Sequence, residues 1–205
     1  GLYMKNRVSP LNPQTAKQTA VRAQLATLAA AWRSLSDDQR KSFAAQVDNY
    51  PATNRLGETY TPSGYQLYMT LNSNLGAVGQ SAIDTPIAPV GFSPALFDAL
   101  NIVLTSGAIS TGTVDMDDTQ GSNETILIEM TGALSAGVSS PSSGLFRRVL
   151  VDATETDEFD IGAAYVAIFG VPPVGSKVFA RVFKVNTLSG QRVSAGAGSV
   201  VVTTL

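Results

Sequence analysis

Apolar positions along the first part of the chain recur at helical spacing. Ala16, Ala20, Leu25, Leu28, Ala29 and Trp32 return at steps of about three and four residues, which predicts one face of a helix running to about Arg33. Asn12-Pro13 supplies its start, with Asn as cap and Pro at the first helical position. Ser36 caps a second helix and Gln39 completes a capping box, with Asp37 and Asp38 in a first turn that favours negative charge. That helix is expected to run to about Asn49 and stop before Pro51. Phe43 returns to the side of Trp32, so a Trp32–Leu35–Phe43 cluster is expected to pin a helix, a tight turn and a helix. Residues 52–60 read as a loop with a turn at Gly57. Thr61-Pro62-Ser63 then starts a third helix carrying Tyr65, Leu67, Tyr68, Leu71 and Leu75, ended by Gly76 and Gly79.

After Asp84-Thr85-Pro86-Ile87-Ala88-Pro89 the period changes to that of strands. Short β-type runs appear at 102–104, 112–116, 126–130, 145–151, 178–185 and 200–202, separated by Gly, Ser, Asn and Asp clusters. Within 178–185 one alternating face is apolar until Lys184, and Asn186 to Gly190 reads as a hairpin loop. One helical turn or more is expected at Ile161 to Phe169, with Ile161, Tyr165, Ile168 and Phe169 on one face. The reading is an α+β chain: an extended arm at 1–11, a small three-helix domain at 12–85, a linker at 86–89 and an antiparallel β-sandwich at 90–205.

Composition narrows the chemistry. The 205 residues include no cysteine and no histidine, which removes thiolate and imidazole from any site. No run of 18 apolar residues exists, and Gly1 to Arg7 lacks the apolar core of a signal peptide, so a soluble chain without a membrane partner is expected. The first residue is not methionine, so the translation start was processed, trimmed or lies upstream. Up to Thr85 eight basic residues face five acidic ones; from Pro86 onward six face eleven. That contrast supports a boundary near Pro86 and Pro89.

Two acidic groups are the most site-like features. Asp115, Asp117, Asp118 and Glu124 could hold a hard cation through oxygen, but their spacing misses the calcium-loop pattern, and a solvated hairpin tip explains them equally well. Asp152, Glu155, Asp157, Glu158 and Asp160 could supply a glycosidase pair only at the right separation, and an acidic surface loop is the plainer reading. A hydrolase would need Asp115, Asp117 or Glu124 to converge with the 157–160 loop in a cleft. No nucleophile frame and no glycine-rich phosphate loop is present. Trp32 to Phe43 superficially resembles the last two helices of an HMG box, and Ser63 to Tyr68 its first. The order is permuted and the dense basic residues are missing, so no nucleic-acid partner is expected.

Three stretches in one order carry a more specific likeness: Lys5 to Ala16, Trp32 to Phe43, and Ser63 to Tyr68 followed by Leu71-Asn72-Ser73-Asn74-Leu75. Together they resemble a group of largely uncharacterised virion proteins of tailed bacteriophages and prophages, in which a helical domain precedes a sandwich of immunoglobulin or fibronectin type. In the second half the likeness rests on Phe159 to Phe169, Pro172 to Val178 and the following hairpin. The resemblance implies a non-enzymatic structural protein located in the virion, acting as capsid decoration or as a head–tail component. It implies no catalytic, cofactor-binding or metal-binding residues and no cofactor. Expected partners are other capsid or tail subunits and further copies of the chain. The alternative is a surface-binding module that grips a host glycan or receptor. The arm at 1–11 is the natural strand to lie across a neighbour, and the mildly basic helical half the natural dock.

Overall fold

Each of the first three helices begins with the same local device. The structure, a computed structural model, describes residues 12, 14–54 and 56–204. Thr15, Ser36 and Ser63 sit in extended backbone, and each accepts a hydrogen bond from the N–H of a glutamine three residues on. Gln18, Gln39 and Gln66 reach back to the cap N–H, closing three capping boxes. Helix α1 is Ala16–Ser34, α2 is Asp37–Gln46 with a 3-10 turn Val47–Asn49 after it, and α3 is Gly64–Ala77.

Two expected starts are therefore corrected. The first helix opens at Thr15 rather than Asn12, and Pro62 precedes the cap of α3 instead of occupying its first turn. In both places a reciprocal side-chain cap satisfies two backbone N–H groups, which a proline signal cannot do. Gly79, at φ 75°, ends α3, and the N–H of Gln80 donates to the Leu75 carbonyl at 2.9 Å; Gly76 stays inside the helix. The loop at 52–60 carries a two-residue pair, β1 (Ala52–Thr53) with β2 (Thr59–Tyr60). The arm at 1–11 and Pro13 lie outside the described residues.

Aromatic rings close the helical core. Trp32 packs edge-on to Phe43 at 5.9 Å and against Tyr68 at 5.2 Å, and Phe43 meets Tyr68 at 5.2 Å. Leu28, Leu35, Leu67 and Leu71 are buried around them. The rest of the expected α1 face is not covered: Ala16, Ala20 and Leu25 are exposed, and in the first three turns it is Gln24 that reaches α3, against Gly76. Tyr65, expected in the core, is 40% exposed and packs edge-on to Trp32 at 5.6 Å.

The remainder is built on two four-stranded sheets. One has the order β10-β3-β4-β7 and the other β6-β5-β8-β9. Their strands are β3 (Phe97–Thr105), β4 (Ala108–Met116), β5 (Glu124–Met130), β6 (Arg147–Asp152), β7 (Glu158–Asp160), β8 (Lys177–Asn186), β9 (Arg192–Val201) and β10 (Thr203–Thr204). Both sheets contribute to one apolar core that includes Ile102, Val114, Ile126, Ile128, Val178, Val182 and Val202. The pairing is not wholly antiparallel, since β10 runs parallel to β3. Helix α4 (Gly162–Phe169) inserts Tyr165 into the core but leaves Ile168 exposed, contrary to its expected inward position. β7 replaces part of the expected acidic loop, and Phe159 is its one apolar residue. That side chain is buried, while Glu158 and Asp160 flank it outside.

Helix α3 lies on the outer face of the β6-β5-β8-β9 sheet, at the hairpin joining β8 to β9. Leu127 and Val185 point away from the shared core by strand alternation yet are fully buried, which fits a covered outer face. Gly190, at φ 74°, makes the closest approach: a Cβ there would stand 2.8 Å from the Leu71 carbonyl carbon. Asn74 Nδ2 donates to the Gly190 carbonyl at 2.9 Å, and Arg148 donates to the Ala77 carbonyl at 2.8 Å. The connecting segment is tied down at its near end. Buried Asn72 bonds both the N–H and the carbonyl of Ile83, and the Tyr50 hydroxyl donates to the Ile87 carbonyl.

Candidate functional site

The two acidic groups do meet, in register. β4 and β7 pair so that Asp115 stands opposite Glu158 and Thr113 opposite Asp160. Asp115 Oδ2 accepts from Asn101 Nδ2 at 2.8 Å, while its Oδ1 is buried without a partner. The other members are spread over local backbone duties. Asp117 accepts from the Leu96 N–H at 2.6 Å, Asp152 from the Thr154 N–H and hydroxyl, and Asp160 from the Gly162 N–H at 2.9 Å. Gln120 joins the two loops by donating to the Thr154 carbonyl. Among the described residues no set of three carboxylates is placed to hold a metal ion. Asp115 and Glu158 form a cross-strand like-charge pair, and they line none of the concavities described below.

Glu124 leaves this group altogether. It is 6% exposed and accepts from the Ser93 N–H and hydroxyl, both at 2.6 Å, and from the Gly121 N–H at 3.2 Å. Ser93 in turn meets Lys184, whose Nζ donates to the carbonyls of Ser93 and Ala95. Burial pushes the Lys184 ammonium below its ordinary pKa, and Glu124 and Asp117 pull it back up. This network anchors the far end of the connecting segment to β5 and β8. Glu124 and Lys184 lie 60 residues apart, and both touch Ser93, a loop residue with no strand or helix signal.

Side chains on the outer face of the β6-β5-β8-β9 sheet stack into a ladder of cations and rings. The Arg181 guanidinium lies 4.2 Å from the Phe146 ring and 5.6 Å from Phe183, and Arg192 covers Phe183 at 3.7 Å. Glu129 closes the ladder, 2.6 Å from Arg181 and 3.7 Å from Arg192. Burial lowers the pKa of Arg192, Glu129 raises it, and neighbouring Arg181 and Arg148 lower it again.

Two concavities flank this ladder. A cleft of about 600 Å³ between α3 and the β8–β9 strands is lined by Tyr50, Tyr60, Gln66, Phe183, Gln191 and Arg192, among others. Tyr60 is 43% exposed there, and the Gln191 Oε1 is buried without a partner. A larger groove of about 860 Å³ runs between the free first turns of α1, the end of α3 and β6. Sequence reading missed both clefts, because each is assembled from segments far apart in the chain.

No family model, curated protein or solved structure matches this chain. No helix among the described residues is long and apolar enough to cross a membrane.

Proposed function

We propose that this chain is a non-enzymatic structural subunit of a tailed-phage particle, serving as capsid decoration or as a head–tail component through protein–protein contacts. The observation that carries the reading is the uncovered half of α1. Every residue from 16 to 27 is exposed, and the stretch includes Val21 at 52% and Leu25 at 43%. A helix that spends three turns and two large aliphatic side chains on open solvent is suited to a neighbour that covers it. The resemblance of the capped helical motifs to phage virion proteins supplies the setting. On this reading the helical domain is 12–85, the linker 86–89 and the sandwich 90–205, the last of immunoglobulin type. Two four-stranded sheets over one core support that fold, and α4 and the parallel β10 are additions to it. Gold-labelled antibody against the chain should decorate purified particles by electron microscopy. Particles without label, from a lysate that contains the protein, would sink the proposal.

A second reading has its own observation. The α3–β8–β9 cleft combines exposed Tyr60 and the ring of Tyr50 with the side-chain amides of Gln66, Asn74 and Gln191, a chemistry suited to a host-surface glycan. Binding on a glycan array that disappears with Tyr60→Ala would favour it.

A further inference from the structure

The chain as a whole carries a formal charge of −2, yet β6 has a basic cluster at one end and an acidic one at the other. At the start of β6, Arg147 and Arg148 join Lys17 and Arg22 of α1 along the large groove, where Glu129 is the one carboxylate. Glu129 is already engaged by Arg181 and Arg192. Lys17, Arg22, Arg147 and Arg148 have no carboxylate partner among the described residues; Arg22, Arg147 and Arg148 bond to an amide or carbonyl oxygen. Phe146 and exposed Val21 line the same groove, so it offers apolar surface as well as these cations.

At the other end, β6 stops at Asp152; the loop that follows carries Glu155 and Asp157, and Glu158 opens β7. These last three are exposed, and no cation pairs with their carboxylates among the described residues. Arg147 and Asp152 are five strand steps apart, about 17 Å at the usual rise. Groove and acidic loop therefore project from opposite ends of one hydrogen-bonded strand and cannot meet within one molecule.

We infer that the groove between α1 and β6 receives the β6–β7 acidic loop of a second copy of this chain. The contact pairs two different surfaces, so each bound copy still offers a free groove at one end and a free loop at the other. Such head-to-tail contacts close into rings or continue as filaments. Charge argues against the chain's own first eleven residues as occupant, since Lys5 and Arg7 repeat the sign of the groove. The inference goes beyond the virion reading: it concerns purified chain, and its failure would leave particle location to be decided separately.

Sedimentation velocity on the full chain provides the test. The wild type should self-associate at low ionic strength and dissociate as salt rises. Lys17→Glu/Arg22→Glu/Arg147→Glu and, separately, Glu155→Lys/Asp157→Lys/Glu158→Lys should each weaken association by on the order of tenfold or more. Mixed together, the two variants should associate again, because each supplies the surface the other has inverted. Circular dichroism checks that both fold, and Lys17→Glu/Arg22→Glu, confined to exposed helix positions, stands in if the triple variant does not. A wild type that stays monomeric at low salt overturns the inference, even if it binds an acidic peptide. So does a variant that associates like wild type, or a mixture that remains monomeric.

Discussion

The helical half and the sheet half hold themselves together by different means. Three rings, Trp32, Phe43 and Tyr68, with a few leucines make up most of the first core, and each helix carries its own start signal. The second core spreads over many aliphatic side chains from both sheets, and its buried polar network ties Ser93 to residues 31 and 91 positions away. Structure specified locally sits on a small core in which each ring is a large fraction of the whole. Structure specified at long range has redundancy in its apolar contacts and depends more on satisfying its buried charges.

Removing a ring should break this contrast most visibly. Phe43→Ala is expected to cost about 3–5 kcal/mol, the usual range for a buried aromatic. Calorimetry should then show the helical half melting before the sheets; a single unshifted transition would mean the halves do not differ in this way. Glu124→Ala should cost about 2–4 kcal/mol in chemical denaturation, since it orphans the Ser93 and Gly121 N–H groups and leaves buried Lys184 with Asp117 alone to offset its desolvation. A Glu124→Ala protein as stable as wild type would remove the polar network from the account.

Ser36→Ala should lower stability by about 1 kcal/mol, read as a shift in the denaturation midpoint, because the α2 cap bond to the Gln39 N–H at 3.2 Å is lost. The smallest effect has the opposite sign. The Tyr165 hydroxyl is buried without a partner, so Tyr165→Phe should gain up to about 1 kcal/mol at neutral pH. Burial pushes the Tyr165 pKa up to about 12. The unfolded chain therefore releases this proton first, near the ordinary tyrosine value of about 10. The Tyr165 contribution is intact below pH 10 and drains away as pH rises from 10 to about 12. Denaturation midpoints across that window should fall less steeply in Tyr165→Phe than in wild type.

How much of this was legible depended on sequence distance. The Ser36–Gln39 capping box, the Trp32–Leu35–Phe43 cluster and parts of β3, β4, β5, β6 and β8 could be read from windows of a dozen residues. β9 was expected only at its end, 200–202, because its Ser, Ala and Gly residues carry little strand signal. Thr15-x-x-Gln18 and Ser63-x-x-Gln66 carried the same signature, but nearby prolines drew the starts of two helices to the wrong residues. Periodicity identified an apolar face on α1 without revealing that half of it has no cover; Ala16, Ala20 and Leu25 look like core until their surroundings are known. Lys184 marked where the apolar face of β8 ends, and its alternation pointed it inward. Nothing local could supply Ser93 and Ala95 as the acceptors that make burial of that ammonium tolerable. The pairing of Asp115 with Glu158 likewise follows from register, which neither strand's own residues state.

Trp32 is the only indole in the chain, and Phe43, Tyr65 and Tyr68 surround it. Its fluorescence therefore observes the helical half alone, while the sheets contribute no tryptophan emission. Spectral shift and quencher access at that one ring would report when the helical core opens, with no dye or tag attached to the protein.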